Sequence, residues 1–255
     1  MMVCKLDYLF HLALANIKSH APEKMRLFIM SLFMILQNFI FFCVWLVLFD
    51  VVSDLKGWRL PDVARMYGLT ATSIGIAMFL CNGVRTLAFR LQDGTFDMFL
   101  SRPRHPLPLL MFSASGPASL GDILYGPLMW IIFTDAGPAD LLLLFLLAVN
   151  ASILFGSMML VIYSLNFWLR NHAHVSEHLF ETSILATSNI VHGQPFWMKL
   201  ILFTVVPSGF INILPIAFFQ NLDPLYLVIL LAASLFYAWI AINVFNAGVR
   251  RYLRG

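Results

Sequence analysis

The residues best suited to chemistry lie in a few small groups. His172, His174 and His178 share a short stretch with Glu177 and Glu181. His174 and His178 are four apart and fall on one face of a helix, a spacing at which two imidazoles can grip a metal ion. No second histidine cluster supplies the remaining ligands, so the stretch reads as a polar turn and no metal is expected. Ser113 and Ser115 stand beside Gly116, but a serine nucleophile needs a base within reach, and the last apolar stretch has no histidine. Cys4, Cys43 and Cys81 lie far apart with no CxxC pair, which argues against a disulfide framework or zinc site. A nucleotide-phosphate loop needs Gly-Lys-Ser/Thr, and none of the five lysines follows a glycine. Asp122 is the one acid well inside an apolar stretch. Such a charge is costly in lipid and is often functional. It has two readings: a protonation site, as in a proton-coupled secondary transporter, or a structural partner of Arg85 on the preceding stretch.

The elements that must position these groups follow from composition. The chain has 255 residues, 60% hydrophobic and 11% charged. Soluble domains carry about 25% charged residues. This chain has too few polar groups to cover a water-facing shell, so its solvent is lipid. A net charge of +3 gives no footprint for nucleic acid. A stretch of about 20 apolar residues crosses a bilayer. Leu27–Phe49, Met66–Phe89, Leu107–Phe133, Leu141–Phe167 and Pro224–Val249 qualify, the third interrupted at Gly116-Pro117, Asp122 and Gly126-Pro127. Between Val175 and Leu222 lie a weakly apolar helix, Ser176–Val191, and a strongly apolar piece, Leu200–Asn221, broken by Pro207 and Pro215. Residues 1–26 read as an amphipathic helix on the membrane surface rather than a cleavable leader. Gly75, Gly116, Gly121 and Gly126 are expected to let helices approach closely. Trp58, Trp130, Trp168 and Trp197 fall near predicted span ends, as belt residues do. The chain is expected to be one membrane domain, 1–255.

Basic residues sort to the cytoplasm. Lys5, Lys18, Lys24 and Arg26 precede the first span; Arg90, Arg102 and Arg104 follow the second; Arg250, Arg251 and Arg254 follow the last. These regions share one side only if the span count is even, so the Val175–Leu222 region crosses once. Lys199 gives a slight preference to Leu200–Asn221 as the crossing piece.

The connection 90–106 is the most informative stretch. Phe96, Phe99 and Leu100 make an apolar stripe on a short helix over Gln92–Ser101, with Asp93, Asp97 and the arginines around it, and Arg102-Pro103 ends it. The residues fit either a helix lying on lipid headgroups or a docking helix for a groove on a partner.

The ordered set Gly57-Trp58, Met66-Tyr67-Gly68, Gln92 to Pro103, Ser119 to Gly126, Pro195-Phe-Trp-Met198, Val206 to Pro215 and Phe245 to Tyr252 resembles the ABC-2 type permeases. The likeness is to the branch with a Gly-x-x-Asp-x-x-Leu-x-Arg-Pro loop, here Gly94, Asp97, Leu100, Arg102 and Pro103. The resemblance implies an all-α polytopic fold of six transmembrane helices with an N-terminal interfacial helix. It places Ser176–Val191 as the fifth span and 193–222 as a re-entrant outer-leaflet segment. It implies a multi-pass protein of the bacterial inner membrane with both ends in the cytoplasm, and a role as the non-enzymatic permease subunit of an exporter for a drug, peptide, lipid or glycan. An ABC ATPase on a separate chain would carry ATP, with no cofactor in this one. A second permease chain, identical or related, would complete the path. Asp93, Gly94, Phe96, Asp97, Phe99, Leu100, Arg102 and Pro103 would form the ATPase-docking coupling helix. The proton-coupled carrier built on Asp122 is the alternative.

Overall fold

A computed structural model describes residues 24–51, 58–169, 173–187, 203–204, 206–221 and 223–254. The expected interfacial helix, apart from its last residues, and the stretch 193–202 lie outside the described residues. Every regular element among the described residues is helical. We name them α1 (Lys24–Val51), α2 (Leu60–Cys81), α3 (Leu87–Gln92), α4 (Asp97–Leu100), α5 (Pro106–Met111), α6 (Ser119–Thr134), α7 (Pro138–Ser164), α8 (Ala173–Thr187), α9 (Leu214–Asn221) and α10 (Pro224–Tyr252). A 3-10 turn, Asn82–Thr86, joins α2 to α3, and another, Leu165–Phe167, extends α7.

Four helical runs are long and apolar enough to cross a membrane: Lys24–Val51, Leu60–Gln92, Pro138–Phe167 and Pro224–Tyr252. Ser119–Thr134 and Gly209–Phe219 are shorter apolar helices. The described residues are thus those of a helical, multi-pass membrane protein. The expected third span, Leu107–Phe133, is two pieces. α5 has already stopped at Met111, and Pro117, which has no N–H and disfavours helical geometry at Gly116, keeps the chain from resuming a helix until Ser119. The freed Gly116 N–H donates to the Met78 carbonyl instead, at 3.3 Å. The Gly126-Pro127 interruption does not occur: Pro127 stays inside α6. A Cβ on Gly126 would collide with the Gly68 carbonyl and the Thr72 hydroxyl, and one on Gly75 would lie 2.8 Å from the Asp122 Cβ. These contacts press α2 against α6. A Cβ on Gly121 would strike the Ser31 carbonyl of α1.

Three long runs begin with the same device. Pro61, Pro138 and Pro224 occupy first-turn positions where a missing N–H costs nothing. Carboxylates cap the same turns: Asp62 accepts from the Arg59 N–H, Asp140 from Gly137 and Asp223 from Leu225. All three starts lie at one end of the bundle. The opposite, basic end gathers Arg85, Arg90 and the arginines of α10. α8 begins there, with Glu177 paired to Arg85. α9 ends at the other end, where Phe219 packs on Trp130 at 5.0 Å and under Arg65.

Two tryptophans depart from the belt expectation. Trp130 is fully buried, with its indole N–H donating to the Arg65 carbonyl at 3.2 Å, and Trp58 is also buried. Only Trp168 of the three described lies half-open at a span end.

Candidate functional site

The loop after α3 is built on the basic end. Gly94 takes φ +71°, a conformation that costs glycine little, and this turn separates α3 from α4. The expected helix over Gln92–Ser101 is therefore cut to the single turn Asp97–Leu100. Its apolar stripe points inward. Phe96 is 0% exposed, its ring 5.5 Å from Phe167 and 5.6 Å from Tyr252. Phe99 is buried under Arg90, whose guanidinium carbon lies 4.8 Å from the ring centre. Arg90 also donates to the Thr86 hydroxyl at 2.7 Å. The Tyr252 hydroxyl donates to Asp97 at 2.9 Å, and His105 bonds Asn246 at 3.0 Å. The loop is thus riveted to the ends of α7 and α10. Phe96 and Phe99 are therefore closed to a partner, and their burial stabilises the loop by about 3–6 kcal/mol. Exposed on the loop are Gln92, Asp93, Gly94, Thr95, Asp97 and Met98, followed by the whole run Ser101 to His105.

The second group surrounds Asp122. A cavity of about 600 Å³ opens between α1, α2, the start of α6 and α8. Asp122, 4% exposed, forms part of its wall and accepts from the Asn38 side-chain amide at 2.6 Å. Arg85 lines the same cavity but does not pair with Asp122, contrary to the structural reading of the sequence. It pairs with Glu177, which also accepts from the Tyr163 hydroxyl at 2.5 Å. The reason is axial distance. Asp122 packs at Gly75, and Arg85 is ten residues further along, about 15 Å of helix. Deeper in, the Thr70 hydroxyl donates to Asn212 at 2.6 Å, and Asn212 in turn donates to the Thr187 carbonyl. Asn38, Thr70 and Asn212 were not singled out as site residues, and Glu177 was read only as part of the histidine cluster. Only Asn212 carried a clear signal, as a lone polar side chain in an apolar run; Asn38 adjoins Gln37, and Thr70 has Thr72 and Ser73 close by. Among the described residues no three His, Cys, Asp or Glu side chains come together as a metal site would need.

A helical bundle with an anchored loop at its basic end and a largely apolar cavity between its spans, with Asp122 and Asn38 in the wall, fits a membrane transport protein. Residues 27–254 match the family described as "ABC-2 family transporter protein", and the chain belongs to that family. No curated protein and no solved structure matches it.

Proposed function

We propose that the chain is the permease subunit of an ABC exporter, coupled to an ATPase on a separate polypeptide. The observation that carries this reading is the anchoring of the 90–106 loop. A loop clamped to α7 by Phe96 and to α10 by Tyr252 transmits a push from a docked partner into two membrane helices. Asp93, Gly94, Met98, Arg102 and Pro103 form the docking face, and Phe96, Asp97, Phe99 and Leu100 form its footing. The basic end is then cytoplasmic, the membrane is the bacterial inner membrane, and both chain ends lie inside. ATP binds the partner; this chain catalyses no covalent step and holds no cofactor. Two permease chains, identical or related, enclose the path. The 600 Å³ cavity, with α1 and α8 in its wall, supports a path on that side. The cargo is a drug, peptide, lipid or glycan.

The test is purification of the tagged chain from its native host in mild detergent. A stoichiometric ATPase subunit is the expected result. A clean homo-oligomer with no ATPase would overturn the reading. It would favour a second one, a proton-coupled carrier, for which the observation is the Asp122 carboxylate in the cavity wall. Transport that follows a pH gradient, ignores ATP and is lost in Asp122→Asn would establish it.

A further inference from the structure

A second cavity, of about 810 Å³, lies at the basic end between α3, the end of α7 and the last turns of α10. Three arginines line it, Arg250, Arg251 and Arg254, with Asn166, Gln92 and Trp168. Among the described residues no carboxylate lines it. Asp62, Glu177 and Glu181 pair with Arg65, Arg85 and His178. Asp97, which reaches this corner, accepts from the Tyr252 hydroxyl. The carbonyls at the end of α10 favour cations in the last turn, which accounts for arginines being there. It does not account for three of them converging on one concavity of ligand size with amide side chains in its wall.

We propose that this cavity holds the phosphate headgroup of an anionic phospholipid from the leaflet on the basic side. Guanidinium forks match phosphate oxygens bidentately, and basic pockets between membrane helices attract such headgroups. Two observations select a lipid over free phosphate. Trp168 and Leu169 stand half-open in the wall just past the end of the span Pro138–Phe167, where an aromatic ring suits the border of headgroups and acyl chains. From Arg250 the seven-residue row of α10, which stays on one face, runs through Asn243 to Phe236, both exposed. Phe236 to Arg250 spans about 21 Å, a little more than the depth of one leaflet's hydrocarbon. A lipid can therefore seat its phosphate on the arginines and lay one chain along that row. The proposal rests on the membrane-spanning assignment alone and not on coupling to an ATPase.

The test uses the full chain purified in detergent, with melting temperature followed as phosphatidylglycerol, phosphatidylcholine or inorganic phosphate is added. Phosphatidylglycerol is expected to raise the melting temperature at saturable concentration, and the other two to leave it unchanged. Each arginine changed to glutamine should weaken the apparent lipid affinity about fivefold. Ala247→Trp, which fills the cavity and keeps every charge, should abolish the shift. Arg102→Gln with Arg104→Gln, on the neighbouring loop, should retain it. An equal shift from phosphatidylcholine, a full shift from phosphate alone, or a shift that survives Ala247→Trp would each overturn the proposal.

Discussion

Phe96 and Met98 are two residues apart and do opposite things. Phe96 is enclosed by Phe167, Phe99 and Tyr252, so Phe96→Ala leaves a cavity in the loop's footing. It should cost about 3–5 kcal/mol, read as a fall in melting temperature in detergent. Met98 is 61% exposed, and Met98→Ala should change stability by less than about 0.5 kcal/mol. If Met98 faces an ATPase, the same change should lower substrate-stimulated ATP hydrolysis in the reconstituted pair while basal hydrolysis persists. Full coupling in both variants would remove the loop from the mechanism. The Arg85–Glu177 pair belongs at this scale too. Its side chains are about a third exposed, at 36% and 31%, so solvent weakens it. Glu177→Gln should cost only about 1 kcal/mol in a thermal melt.

At the scale of elements, the close approach of α2 and α6 is set by missing side chains. Gly126 has no room for a Cβ against Gly68 and Thr72. Gly126→Leu should force the helices apart and cost about 3 kcal/mol or more, seen as poor yield and early melting. Gly94 is the contrasting case. Nothing lies within 4 Å of where its Cβ would be, but its φ of +71° strains any L side chain. Gly94→Ala should therefore destabilise by about 1 kcal/mol through the backbone alone, loosening the loop. An equal loss in Gly137→Ala, where φ is negative, would show that the effect is not conformational.

For the whole molecule, the prediction concerns sidedness. Ser101 is on the basic-end loop and Ala136 on the turn between α6 and α7. In a background lacking the natural cysteines, Ala136→Cys should react with a membrane-impermeant maleimide on intact cells, and Ser101→Cys only after lysis. The reverse pattern would invert the assignment of the basic end to the cytoplasm. Pairing of the ends by Tyr252–Asp97 and His105–Asn246 means that loop and tail must report the same side.

The sequence by itself determined the solvent, because 60% hydrophobic and 11% charged residues leave lipid as the only medium that fits. It determined the long spans and the break at Gly116-Pro117, because apolar length and proline geometry are local properties. The family, too, was legible in the order of short motifs. Only the tertiary structure decided which way an amphipathic stripe faces: Phe96 and Phe99 are equally apolar whether they meet a partner or Phe167. It alone decided that Arg85 meets Glu177 rather than Asp122, since pairing depends on where helices cross along their axes and not on the number of oppositely charged residues available. It moved Trp58 and Trp130 from the expected belt into the interior for the same reason. Position along a helix is written in the sequence, but the neighbour across the gap is set by packing.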